Sequence, residues 1–141
     1  MDKQQLINFI GGLELPEGEF VLFGGSSLAI RSIRKAGDID LFVTKDLFDK
    51  LFARGWVKTS QQNRQPYLIN DKGPLSMQAF HVWEGGSWLP SIDDYINYPE
   101  IVEGIPFMPL KELYKWKTVT RRPKDLVDIK LIDKYLLINA C

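Results

Sequence analysis

Cysteine is almost absent: the only one is the last residue, Cys141, so the chain can close no internal disulfide and build no cysteine metal cage. Histidine is equally scarce, with His81 alone, which excludes a multi-histidine zinc site. Net charge is missing too. Eighteen Lys and Arg balance eighteen Asp and Glu, and this removes the simplest electrostatic case for broad binding to nucleic acid or to a membrane surface. No apolar run approaches the roughly 18 residues of a membrane span, and Met1-Asp2-Lys3-Gln4-Gln5 lacks the basic start and apolar core of a signal peptide. The expectation is a cytoplasmic protein with no membrane partner. Repeats, low-complexity tracts and proline-rich linkers are also lacking, which favours one compact domain over residues 1–141.

What is present is ordinary globular material: 45% apolar, 12% aromatic and 26% charged residues in 141. A chain of that length buries about two-thirds of the surface its unfolded form exposes. Periodicity predicts a mixed α/β chain of the α+β class. Leu6, Ile7 and Ile10 give a short N-terminal helix interrupted by Gly11-Gly12. Phe20 to Phe23 is a buried strand that turns at Gly24-Gly25. Ser26 caps the next helix, with Leu28, Ala29, Ile30 and Ile33 inward, Arg31, Arg34 and Lys35 toward solvent or the last turn, and Gly37 at its end. A strand over Asp38 to Val43 and an amphipathic helix over Lys45 to Arg54 follow. Trp56 to Ser60, Pro66 to Asn70 and Leu75 to Trp83 read as strands, the latter two joined by Asp71-Lys72-Gly73-Pro74. Ser91 starts a short helix, Ile105 to Met108 is extended, and a C-terminal helical pair opens at Pro109 and Pro123 and runs to about Val119 and about Ile138.

Chemistry concentrates around Asp38 and Asp40. Two apart on a strand, they project from one face with their carboxylates a few ångströms apart. Such a pair is either two solvated acids at a strand start or a seat for a hard cation such as Mg²⁺ (or Mn²⁺), which takes one or two protein carboxylates and fills other positions with phosphate oxygens. The preceding segment favours the second. Gly24 and Gly25 let backbone N–H groups approach a phosphate, and Ser26 adds a hydroxyl there. A strand, this turn, one helix and the acidic pair converge on one sheet edge.

The segment Phe20 to Thr44, FVLFGGSSLAIRSIRKAGDIDLFVT, resembles the paired Gly-Gly-Ser and Asp-x-Asp signature of the nucleotidyltransferase superfamily, whose small members include antitoxin-type and lincosamide-type proteins. The stretch Pro109 to Leu131, PLKELYKWKTVTRRPKDLVDIKL, looks like that family's helix, basic Arg-Pro-Lys-Asp turn and following helix. Together the resemblance covers about residues 20 to 136. It implies a nucleotidyltransferase-like mixed sheet flanked by helices, with Asp38 and Asp40 as catalytic metal ligands. It also implies transfer of a nucleoside monophosphate from a nucleoside triphosphate to an acceptor (a small molecule, protein or RNA), with pyrophosphate leaving. Gly24, Gly25, Ser26, Lys117, Arg121 and Lys124 would contact the nucleotide.

One departure from the family pattern stands out. Active members carry a third carboxylate on a later strand, and the matching position here is Gln78, a neutral and weak ligand that accepts no proton at ordinary pH. This motivates an alternative, a binding module without turnover that partners another protein as antitoxin-like members of toxin–antitoxin pairs do. His81 faces opposite to Gln78 by alternation. Lys117 lies on the apolar face of its helix beside Leu110, Leu113 and Tyr114, where its ammonium either pairs with Asp125 or Asp128 or contacts phosphate. Arg121, Arg122 and Lys124 open the last helix, where Lys124 and Asp128 also form an i, i+4 pair. Trp83, Trp88 and Tyr95 are either core or surfaces on which a base or an acceptor stacks.

Overall fold

The structure, a computed structural model, describes residues 1–59, 65–83 and 92–139. Trp88 and Ser91 lie outside them. The chain begins with α1 (Lys3–Gly12), whose N-cap Asp2 accepts the Gln5 N–H while the Gln5 side chain accepts the Asp2 N–H, satisfying two donors that a helix start leaves open. Then come β1 (Phe20–Phe23), α2 (Gly25–Ala29), β2 (Ile39–Val43), α3 (Lys45–Ala53), β3 (Val57–Lys58), β4 (Leu68–Asn70) and β5 (Met77–Phe80). The chain finishes with α4 (Ile92–Asn97), β6 (Glu100–Val102), β7 (Ile105–Phe107), α5 (Leu110–Thr120) and α6 (Pro123–Ile138). The α+β class and the C-terminal helical pair are those expected. Among the described residues no helix is long and apolar enough to cross a membrane.

The strands form one mixed sheet in the order β3-β4-β5-β2-β1-β7-β6. β1 runs antiparallel to β2 and parallel to β7, and β2 runs parallel to β5. At its centre the sheet is buried on both faces, which explains the unbroken apolar run of β1. Alternation sorts its residues. Phe20, Leu22, Ile39, Leu41, Met77 and Ala79 join Leu6 and Ile10 of α1 and Leu47, Phe48 and Leu51 of α3 in one core. Val21, Phe23 and Phe42 join Tyr95 and Ile96 of α4, Leu113 of α5 and Ile132 of α6 in the other. Asp40 and Gln78 belong to the second face, so the acidic pair lies beneath the C-terminal helices.

Three expectations are corrected. The helix after the glycine turn ends at Ala29, well short of Gly37, because the backbone reverses at Ser32, whose φ is 57°. It is also not capped by Ser26. The N-cap is Gly24, and the Ser26 hydroxyl donates to the Phe23 carbonyl. Second, Arg31 does not face solvent: its side chain is 6% exposed and pairs with Glu100 at 2.6 Å, while Arg34, 34% exposed, pairs with Asp128. Third, β6 was not expected. It forms a hairpin with β7 through Glu103 and Gly104, both at positive φ (50° and 81°), a turn that the sequence disguises by using Glu where Asn or Asp is usual.

Candidate functional site

β1 ends at Phe23, opposite Asp40 in the antiparallel ladder. The chain must turn away at once, and Gly24 does so at φ 71° and ψ −141°, a conformation open essentially to glycine. Space demands glycine as well, since a Cβ at this position would stand 3.2 Å from Asp40 Oδ2. The turn and the acid therefore touch. Asp38 lies one residue before β2, exposed, and Asp40 is its partly buried second residue.

A cavity of about 360 Å³ opens above them. Gly24, Gly25, Asp38, Asp40 and Gln78 form its sheet end, and Lys117, Arg122 and Lys124 reach it from α5 and α6. Between these ends runs an aromatic wall of Phe23, Phe80, Trp83 and Trp116. Trp83 stands edge-on to Phe80 and to Trp116, with ring centroids 5.1 and 5.2 Å apart. These perpendicular contacts fix the wall without filling the cavity.

The acids are short of positive charge. Burial, and then the negative charge of Asp38, push the Asp40 carboxyl up to about 7, only partly offset by Lys124. A carboxylate pair strained in this way suits a divalent cation. Among the described residues no three acids, histidines or cysteines gather as a protein-only cage, so the fit is to an ion that takes two carboxylates and draws its other ligands from phosphate oxygens and water. Gln78, in register beside Asp40, adds a carbonyl and no charge.

The basic end is organised by two buried acids of α6. Lys117, 7% exposed, donates to Asp128 at 2.9 Å and to Asp125 at 3.3 Å. Asp128 also accepts both arms of Arg34, at 2.8 and 3.0 Å. Asp125 is fully buried and accepts the Thr120 hydroxyl at 2.6 Å, the Arg122 backbone N–H at 3.0 Å and the Arg122 guanidinium at 2.8 and 3.1 Å. Burial pushes Asp125 up, but these donors outweigh it and hold the carboxyl well below the usual carboxylate range. Asp128 is likewise raised by burial and lowered further by Arg34 and Lys117.

Of the eight residues expected to contact metal or nucleotide, Asp38, Asp40, Gly24, Gly25, Lys117 and Lys124 meet at this cavity. Two do not line it. Ser26 is fully buried with its hydroxyl committed to the Phe23 carbonyl, and Arg121 is exposed at the end of α5 with φ 48°. His81 is on the other side of the sheet, edge-on to Phe48 at 4.2 Å, where burial and then Lys45 lower its pKa. Tyr95 is core, parallel to Phe42 with centroids 6.1 Å apart. Arg34, Trp116 and Thr120 are among the cavity residues the sequence did not reveal. Arg34 was hidden by the helix expected around it, and Trp116 by sitting one position before an inward lysine.

No family model, curated protein or solved structure matches the chain.

Proposed function

We propose that the chain is a nucleotidyltransferase-like protein that holds Mg²⁺ (or Mn²⁺) and a nucleoside triphosphate in this cavity and passes a nucleoside monophosphate to an acceptor, a small molecule, protein or RNA. The observation that carries the proposal is the convergence of three separate segments on one cavity: the Gly24-Gly25 turn, the Asp38/Asp40 pair, and the basic ends of α5 and α6. Each alone is common; their meeting matches the charge pattern of a metal-bound polyphosphate.

When bound, the divalent ion supplies charge neutralisation at phosphate oxygens. Asp38 and Asp40 are the residues that would hold it. Gly24 and Gly25 keep side chains out of the phosphate approach. Lys124 and Arg122 offset phosphate charge at the opposite wall, and Phe80, Trp83 and Trp116 give a base an apolar face. Catalysis on such a scaffold is positioning and electrostatics.

Titration calorimetry with Mg²⁺ and each of the four common nucleoside triphosphates tests this. Binding is expected for the wild type and not for Asp38→Ala/Asp40→Ala; absence of wild-type binding, or equal binding by the double variant, removes the proposal.

Gln78 favours a second reading, a nucleotide-binding module without turnover that partners another protein. An α-labelled triphosphate separates the two. Sustained transfer of label to protein, RNA or small-molecule acceptors eliminates the inactive module.

A further inference from the structure

Arg34 belongs to both halves of the cavity. Its guanidinium carries five N–H donors. Nε and Nη2 donate to the two carboxylate oxygens of Asp128, and Nη1 donates to the Lys35 carbonyl at 3.0 Å. That leaves one N–H on each Nη atom uncommitted. The same two nitrogens lie over the glycine turn: a Cβ at Gly25 would stand 3.1 Å from Nη1 and 3.3 Å from Nη2. Residue 25 has no side chain, and the guanidinium occupies the space one would fill.

The fork is also preset. Asp128 is 3% exposed and is itself held by Lys117, so the carboxylate gripping Arg34 cannot swing away without breaking a buried ion pair. Charge supports an anion here. Arg34, Lys117 and Arg122 share the two buried carboxylates Asp125 and Asp128, which leaves one surplus positive charge, and Lys124 adds another at the rim. These balance Asp38 and Asp40 on the same cavity, so an anion is favoured once a divalent cation neutralises those two acids. A planar guanidinium held on one edge, with paired donors left on its outer nitrogens, suits the oxygens of a phosphate group.

We propose that Arg34 is a phosphate-binding residue for the pyrophosphate portion of the nucleotide, so that this side chain makes the cavity prefer triphosphates over monophosphates. The inference rests on the nucleotide-binding proposal above and adds the residue that sets phosphate number. Asp128 is its positioning residue, acting through Arg34.

The experiment measures, in the presence of Mg²⁺, the affinities of one nucleoside as mono- and triphosphate, together with inorganic pyrophosphate, for the wild type, Arg34→Gln and Arg34→Lys. Losing a charge-assisted contact weakens triphosphate and pyrophosphate binding by about tenfold to a hundredfold. Monophosphate affinity is expected to change by less than about threefold, a factor well under one such contact. Arg34→Lys keeps the charge on Asp128 but not the fork, and loses part of the preference while still folding; it carries the test if Arg34→Gln does not fold. Equal weakening for mono- and triphosphate, or an unchanged preference in Arg34→Lys and Arg34→Gln, overturns the inference. If the wild type binds triphosphates in an Asp38/Asp40-dependent way and the Arg34 variants keep its preference, this inference alone fails. If the wild type binds no triphosphate, the nucleotide proposal falls and this one with it.

Discussion

Asp40 and Gln78 are register partners on the parallel neighbours β2 and β5, with side chains on the same face of the sheet. Adjacent strands lie about 4.8 Å apart, so whatever stands at position 78 shares the immediate surroundings of the acid. The neighbour is an amide. It leaves Asp40 hydrogen-bonding capacity without another negative charge, and it sets how strongly the acidic pair demands a cation.

Gln78→Glu is therefore expected to raise affinity for Mg²⁺ and Mn²⁺ by about tenfold or more, since the added carboxylate is a stronger ligand than a neutral amide. In metal-free buffer the same variant melts at lower temperature, because three acids then crowd one site. Metal titration by calorimetry, with melting curves in chelator, checks both halves. An unchanged metal affinity would mean that position 78 lies outside the ion's reach.

Asp40→Asn is expected to stabilise the metal-free protein, and increasingly so as pH rises. The sign follows from the raised carboxyl. Unfolded, Asp40 ionises near its ordinary value of about 3.9, whereas folded it keeps its proton up to about 7. Between those values the folded state binds more protons, so stability falls with rising pH and then levels off. The variant escapes this penalty, which amounts to at most about 4 kcal/mol above neutral pH. Urea midpoints for both proteins across that range measure it; a difference independent of pH contradicts the account.

Much of this arrangement was legible in the sequence because it depends on period and on chemistry at short range. The unbroken Phe20 to Phe23 run, the alternation through Asp38 and Asp40 and the Pro109 and Pro123 helix starts each declare an element locally, and the structure has β1, β2, α5 and α6 there. Gln78 is singled out by the family resemblance, since periodicity alone gives no register between β2 and β5. What stayed hidden is tertiary. Arg34 occupies an apparent helix whose backbone actually reverses at Ser32, and its partner is 94 positions away. Lys117 looked equally suited to phosphate or to carboxylate, and only the packing of α5 on α6 shows it between Asp125 and Asp128. The Ser26 hydroxyl is turned inward by the short α2, which no local pattern signals.

The two glycines of the turn should separate by substitution. Gly24→Ala places a side chain at φ 71° and crowds Asp40 Oδ2, a strain costing roughly 1–3 kcal/mol of stability. Gly25→Ala meets only the tip of Arg34. It is expected to cost less than about 1 kcal/mol, since no positive φ is imposed there, yet to weaken triphosphate binding by shifting the guanidinium. Melting temperatures and binding isotherms for the two variants distinguish these effects; equal losses of stability would refute the distinction.

The buried acids of α6 give the opposite pH behaviour to Asp40. Asp125 and Asp128 are held below their unfolded value of about 3.9, so the unfolded state takes up protons first on acidification. Their contribution is fully present above that value and is lost as pH falls through the lower folded values. Asp125→Ala removes the acceptor shared by Lys117, Thr120 and Arg122, and leaves Lys117 buried with Asp128 alone. Breaking such a buried pair costs about 3–5 kcal/mol at neutral pH. Replacement of both Lys117 and Asp125 by apolar residues of similar size, Lys117→Met/Asp125→Leu, should cost less than Asp125→Ala alone, because Lys117 no longer has to share the single carboxylate of Asp128 with Arg34. The wild type should also lose more stability than Asp125→Ala between about pH 4 and pH 2, where Asp125 takes up a proton in the unfolded state but stays ionised in the folded one. Urea unfolding at neutral and acid pH decides: parallel pH profiles for wild type and Asp125→Ala would show that Asp125 contributes packing rather than charge.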